Sequence, residues 1–252
     1  MKLRNLAGST VALSFLMLTQ ASHAQFLGTA RTYGVLAGSA VTSTGDSVVN
    51  GDLGIWPGTA LTGFPPGIVN GTLNINNAAA MQAQADLKTA YDSLAGEAFN
   101  QSLSGQDLGG MTLFAGVYNF STSAFLTGTL TLDAQGDPDA RFVFQIGSTL
   151  VTASNSFVDV INGGDFCDTY WQVGSSATLG TGTTFGGHIL ALSSITMTTG
   201  ASIVGGSALA RNGAVTMDTN TVTVCAVPEP ATLVTFAGFL VYGTARRRRR
   251  RA

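Results

Sequence analysis

The sequence predicts an all-β-dominated solenoid, a β-helix of short strands, with one long α-helix packed alongside. Three observations lead there. Glycine is abundant, at 32 of 252 residues, with only 6 prolines and 10% charged residues, a composition suited to many short strands joined by tight turns. Related stretches recur: Ala177, Ile195 and Val215 open similar strands 18 and then 20 residues apart. That period accommodates one coil of about three short strands with Val, Ile, Leu and Met pointing inward. A single segment carries the periodicity of a long amphipathic helix.

In chain order, MKLRNLAGSTVALSFLMLTQASHAQF has a basic start, an apolar run from Val11 to Leu18 and small residues at Ser22 and Ala24. It reads as a secretory signal peptide over 1–24, removed after Ala24. The folded body is then expected over 25–226. Export permits the two cysteines, Cys167 and Cys225, to pair as a disulfide; two buried thiols are the alternative.

The early stretch STGDSVVNGD (43–52) parallels TTGASIVGGS (198–207). This predicts that an early strand lies beside late coils. Between Asn77 and Gly96, the residues Ala80, Ala83, Leu87, Ala90, Tyr91 and Leu94 form one apolar helical face. Asn77 is the expected N-cap and Gly96 the expected terminator. Such a helix should lie lengthwise on a sheet.

The later body repeats. FQIGSTLVTASNSF (144–157) parallels WQVGSSATLGTGTTF (171–185) with one extra residue in the second copy. TTGASIVGG (198–206) parallels TGTTFGGH (181–188), and NGAVTMDTNTVT (212–223) returns to the pattern of LSSITMTTGASIVGG (192–206). An immunoglobulin-like sandwich, the competing all-β fold, would not give this register.

The sequence closes on VPEPATLVTFAGFLVYGTARRRRRRA. The uncharged run 231–245 followed by Arg246–Arg251 has the pattern of a short transmembrane helix held by the positive-inside rule, although a full span needs about 20 residues. Pro228, Glu229 and Pro230 ahead of that run closely resemble the PEP-CTERM sorting signal of Gram-negative bacteria, here 227–252. The resemblance implies processing by an exosortase-type membrane protease after transient membrane contact, with the body left at the cell surface, in the matrix or secreted.

Enzyme chemistry finds little material. Between residues 25 and 227, Arg31, Lys88, Arg141 and Arg211 face thirteen acids, a balance of −9, which argues against nucleic-acid binding. Beyond the signal peptide the one histidine is His188, so His-based triads and multi-His metal sites are excluded. Asp133, Asp137 and Asp139 sit among turn formers without EF-hand spacing. No cofactor, metal or catalytic residue is expected.

What stands out is a row of short hydroxyls. Aligning the strands on inward Leu150, Ala177, Ile195, Val215 and Val41 brings Thr149 and Val151, Ser176 and Thr178, Ser194 and Thr196, Ala214 and Thr216, and Ala40 and Thr42 to flanking outward positions. Ser39 precedes the last pair. None is charged, whereas an ordinary solvent face scatters Lys and Glu. Stacked coils would repeat these groups at about 4.7–4.9 Å across strands and about 6.6 Å along them. Rotamer-restricted side chains at such spacing can hold surface water in a fixed array. Both spacings approximate repeats of the ice lattice.

Several long motifs then occur in order: YGVLAGSAVTSTGDSVVNGDLGIWPGTALTGFPPGIVNGTL (33–73), GQDLGGMTLFAGVYNF (105–120), LTGTLTLDAQGDPDARFVFQIGSTLVTAS (126–154), WQVGSSATLGTGTTFGGHILALSSITMTTGAS (171–202) and ALARNGAVTMDTNTV (208–222). Together they resemble the microbial ice-binding (antifreeze) protein family. The resemblance implies a right-handed, three-sided, discontinuous β-helix with a flanking α-helix, and an ice-binding plane on the strands near 39–42, 176–178, 194–196 and 214–216. Many members carry a cysteine pair where this chain has Phe99 and Asn119. The expected function is that of an exported, monomeric, non-enzymatic protein whose partner is the ice surface. A surface adhesin for polysaccharide or protein on the same scaffold is the alternative. Trp171, aligned with Phe144, is expected to be packed and so unavailable for sugar stacking.

Overall fold

The computed structural model describes residues 26–225; the expected signal peptide (1–24), sorting signal and transmembrane segment lie outside them. The described chain is mostly β, with 22 short strands and one α-helix, Ala78–Gly96. Every strand pairing is parallel, which rules out the antiparallel immunoglobulin-like sandwich.

The strands line up in three parallel ladders. The first has seven strands, in spatial order Ala124–Leu126, Leu150–Thr152, Ala177–Leu179, Ile195–Met197, Val215–Asp218, Ala40–Thr44 and Ala60–Thr62. The other two merge into one sheet because the strands Thr184–Ala191 and Ser202–Ala210 pass through both. Their first halves join Thr221–Thr223, Val48–Asn50 and Ile68–Val69 in the second ladder. Their second halves join Thr169–Val173, Tyr33–Ala37 and Asp52–Ile55 in the third.

Glycine makes the corner between those halves possible. The register shifts between Gly186 and His188, where Gly187 has φ +94°. A Cβ on Gly206 would sit 1.9 Å from the Gly187 carbonyl oxygen, so only glycine lets the coils stack there.

The early strands insert among the late ones, as the 43–52 parallel predicts: Val35 pairs with Ala208, Val41 with Val215 and Val48 with Thr221. One sequence alignment needs correction. Phe144 pairs with Trp171, Leu150 with Ala177 and Phe157 with Thr184, a constant offset with no extra residue in the second copy. The two phenylalanines therefore do not match: Phe157 points outward and is exposed, while Phe185 is buried.

Inward side chains of all three ladders form one core. Its centre is an aromatic file: Tyr118 stacks on Phe144 at 5.6 Å, Phe144 on Trp171 at 3.9 Å, and Trp171 tilts against Phe185 at 4.8 Å. The buried Trp171 indole N–H is satisfied by the Gly186 carbonyl at 3.0 Å. Where the first ladder turns into the second, buried Asn220 donates to the Thr198 and Ala201 carbonyls at 2.8 and 2.9 Å.

The helix covers the outer side of the third ladder. Its predicted apolar face is buried, joined by Gln84, against Leu36, Val143, Tyr170, Leu190 and Leu209. Nineteen residues make a helix of about 28 Å. Six ladder steps, from Leu73–Ile75 to Phe142–Ile146, span about 29 Å. The helix thus fits that stretch of the stack. Asn77 caps its start by accepting from the Ala80 N–H at 2.9 Å. Its end differs from expectation: Gly96 is the last helical residue and not a left-handed terminator. Instead, Gln145 Nε2 donates to the Leu94 and Glu97 carbonyls, and Arg141 pairs bidentately with Glu97 at 2.8 Å.

Cys167 and Cys225 form a disulfide, S–S 2.02 Å, tying the last described residue to the turn Phe166–Asp168. Among the described residues no helix is long and apolar enough to cross a membrane.

Candidate functional site

Alternation along the first ladder decides what reaches its surface. Ala124, Leu150, Ala177, Ile195, Val215 and Val41 point inward and are buried, in one continuous register. The next residue of each of these six strands then points out, as does Thr62 after Leu61 on the seventh, giving Phe125, Val151, Thr178, Thr196, Thr216, Thr42 and Thr62. Five of these, from Thr178 to Thr62, are consecutive threonines. At about 4.8 Å per step the row extends roughly 19 Å.

A second row lies on the other flank of the inward residues: Ser123, Thr149, Ser176, Ser194, Ala214, Ala40 and Ala60. Here several hydroxyls are used between coils. Ser176 Oγ accepts from the Ser194 N–H and Ser194 Oγ from the Ala214 N–H, each at 3.3 Å. Ser123 and Thr149 share a hydroxyl hydrogen bond at 2.7 Å. The threonine row is freer. Thr42 bonds to Thr216, whereas the Thr178, Thr196 and Thr62 hydroxyls have no protein partner among the described residues.

Ser39 does not join either row. It sits in the turn before its strand, where its N–H donates to the Gly213 carbonyl at 3.1 Å. Sequence reasoning also missed residues at both ends: Ser123 and Phe125 at one, Ala60 and Thr62 at the other. The signal for the latter was Ala-Leu-Thr (60–62) following Ala-Val-Thr (40–42) by 20 residues.

Neither row carries a charge. Two acids border the face: Asp218, beyond Thr216 along its strand, accepts from Thr199 Oγ1 and Thr219 Oγ1, and Asp107, bridged to Phe125 at one end, accepts from Thr127 Oγ1. The five-threonine stretch of the face presents methyls and hydroxyls held by buried neighbours, with Val151 and the exposed Phe125 at one end.

Elsewhere the ionisable groups have structural surroundings. His188 is buried, stacked on Tyr170 at 5.5 Å and 3.2 Å from Ser207 Oγ through Nδ1. Burial pushes its pKa down to about 4, which keeps it neutral at physiological pH. Asp133 and Asp137 each accept a backbone N–H two residues on, as turn residues do. Asp165, Cys167 and Cys225 come within metal-ligating distance of one another, but both sulfurs are spent in the disulfide. Trp171 and Tyr170 are buried, so neither offers a ring for sugar stacking.

A family model described as Ice-binding-like matches residues 35–223. The chain belongs to this ice-binding-like family. An ice-binding protein of Nostoc sp. (strain HG1) is 57% identical over 217 residues, covering 86% of this chain and 80% of the relative. Ice-binding protein 1 of Shewanella frigidimarina is 34% identical, covering 78% of this chain and 26% of that protein. Among solved structures, an ice binding protein from an Antarctic biological consortium superposes with TM-score 0.77 at 44% identity, covering 89% of this chain and 95% of its own. The ice-binding protein of the ascomycete Antarctomyces psychrotrophicus gives TM-score 0.77 at 42% identity, covering 80% and 98%. The ice-binding-like match thus spans all three ladders and the helix.

Proposed function

We propose that this ice-binding-like chain is an exported, non-enzymatic protein that adsorbs to ice through the first ladder and slows ice growth or recrystallisation. The row Thr178–Thr196–Thr216–Thr42–Thr62 carries the reading. β-Branched side chains in a parallel ladder are confined in rotamer, so their methyls and hydroxyls repeat at fixed intervals. Water held over them is ordered before ice arrives, and an ordered layer joins a crystal plane with little further loss of freedom. The relatives named as ice-binding proteins support ice as the ligand. In this reading the three ladders are the sides of a right-handed, discontinuous solenoid, and Ala40, Thr42, Thr149, Val151, Ser176, Thr178, Ser194, Thr196, Ala214 and Thr216 form the contact, extended by Ala60 and Thr62.

The rest of the proposal concerns delivery. Residues 1–24 direct export, 25–226 form the monomeric body, and 227–252 sort it, with cleavage near Pro228–Pro230 by an exosortase-type protease. Thermal hysteresis and ice recrystallisation inhibition measured on purified residues 25–227 test the function; a body inactive in both assays overturns it. The intact mass of the exported protein tests the delivery. Recovery of Arg246–Arg251 in that fraction means the tail is a plain anchor.

A further inference from the structure

We infer that the groove between the helix and the end of the third ladder is a second binding site, apart from the threonine row, for a hexuronic acid, a sugar ring bearing one carboxylate. It is independent of whether the row binds ice.

The groove has a volume of about 470 Å³, within the range of about 300–1,000 Å³ usual for small-ligand clefts. One wall is the helix, where Met81, Gln84 and Lys88 fall on one side at i, i+3 and i+7. The other wall is the corner at which strands leave the third ladder for the first. Leu36 pairs with Leu209 and Ala37 with Ile55, so Arg211, Gly38 and Trp56 follow on three successive coils. Arg211 and Trp56 line the groove two ladder steps apart, roughly 9–10 Å. Gly38 between them has no side chain to close the gap.

Several polar groups here lack protein partners. The Arg211 side chain is only 16% exposed, yet its guanidinium makes no hydrogen bond among the described residues. The Tyr91 ring lies 4.9 Å from it, and Asp92 stays at 3.6 Å, beyond hydrogen-bond reach. Arg141, by contrast, spends its fork on Glu97. Gln84 is 7% exposed; its Nε2 donates to the Ala210 carbonyl at 3.1 Å, and its side-chain oxygen has no partner among the described residues. The Trp56 indole N–H and the Asn212 amide, which also line the groove, are unmatched in the same way.

Each group selects one part of the ligand. An arginine fork with open N–H groups fits a carboxylate bidentately. Lys88 adds a second cation, so two positive charges face the single carboxylate of Asp92 in a body whose balance is −9. The half-buried Trp56 ring and the exposed Met81 offer an apolar wall for the C–H face of a ring. Gln84, Asn212 and the indole N–H call for hydroxyl partners, which a fatty or plain ring carboxylate lacks. A saturated ring carrying hydroxyls and one carboxylate meets all three demands.

Trp56 supplies the readout, since Trp171, the only other tryptophan, is fully buried in the core. The purified protein is titrated with galacturonate and trigalacturonate, and with galactose and cyclohexanecarboxylate as controls, while indole fluorescence is followed. A uronate should shift the emission and bind at least tenfold more tightly than either control. Tighter binding of the trimer assigns the groove to a polysaccharide chain, and tighter binding of the monomer to the free sugar. Arg211→Gln should weaken uronate binding at least tenfold. Met81→Glu, at an exposed helix position, should do the same by repulsion while leaving the denaturation midpoint unchanged. Trp56→Phe should remove the fluorescence change. No response to either uronate, a control that binds as tightly, a response that survives Trp56→Phe, or affinity unchanged in both Arg211→Gln and Met81→Glu overturns the inference.

Discussion

Thr42 Oγ1 donates to Thr216 Oγ1 across 3.4 Å, joining side chains 174 residues apart in the sequence. The contact is possible because Val41 and Val215 are paired beneath it. Two distant stretches of chain thus contribute adjacent members of one regular row, and the row's order depends on the packing below.

Replacing Thr196 or Thr216 by Tyr should abolish most thermal hysteresis, because a bulky ring lifts the ordered water over several neighbours at once. Stability should stay within about 0.5 kcal/mol, since both side chains face outward. Full activity in both variants with an unchanged melting temperature places the ice contact elsewhere.

Ile195→Ala and Met197→Ala should behave in the opposite way. Both residues are buried on either side of Thr196, and each truncation leaves a cavity worth about 2–5 kcal/mol. Chemical denaturation reads this directly. Variants as stable as the parent would show that the strand is not packed as described.

The disulfide closes a loop with a sequence separation of 58, for which chain entropy gives about 4 kcal/mol. The Cys167→Ser/Cys225→Ser variant should lower the denaturation midpoint accordingly. Mass spectrometry of natively exported protein should find no free thiol; two free thiols refute the pairing.

His188 makes stability pH-dependent. Burial lowers its folded pKa to about 4 from the ordinary 6.5, so the unfolded chain binds a proton first as pH falls. Its contribution is complete above pH 6.5 and declines down to about pH 4, by on the order of 3 kcal/mol. Partial burial alone would raise Asp86 and Asp107, but hydrogen bonds hold both below the usual carboxylate range, from Thr29 and Gln82 to the first and from Gly109 and Thr127 to the second. Their contribution is lost only at lower pH. Unfolding free energy measured from pH 8 to pH 4 should therefore fall, and a flat profile contradicts the buried, neutral imidazole.

The ladder register is readable from the sequence wherever an inward residue is flanked by small outward ones. Leu150, Ala177, Ile195, Val215 and Val41 align correctly because period-2 alternation leaves a single register that buries all of them. Phe157 and Phe185 mislead because matching two aromatics by type ignores the backbone offset, which pairs Phe157 with Thr184. The helix face is legible from spacing, but its end is not, since Gln145 and Arg141 secure it from about 50 residues away in the chain. The division of labour between hydroxyl rows is also invisible in the sequence. Whether a serine bonds the next coil, as Ser176 and Ser194 do, depends on stacking geometry that no linear pattern records.

The insertion of early strands among late ones sets a timetable for folding. Tyr33–Ala37, Ala40–Thr44 and Val48–Asn50 are made first and soon have Asp52–Ile55, Ala60–Thr62 and Ile68–Val69 on one side, yet the neighbour on the other side arrives only with residues 208, 215 and 221. Folding slows as native contacts become more distant along the chain, and these are among the most distant available. During synthesis one edge of each early strand must wait unpaired while roughly 170 more residues are added. A chain that crosses a membrane as an extended thread gains from that delay, because it cannot close before its last coil arrives. A chain cut short of Val215 leaves Ala40–Thr44 paired only with Ala60–Thr62 and never completes the threonine row, so only a finished molecule presents the surface.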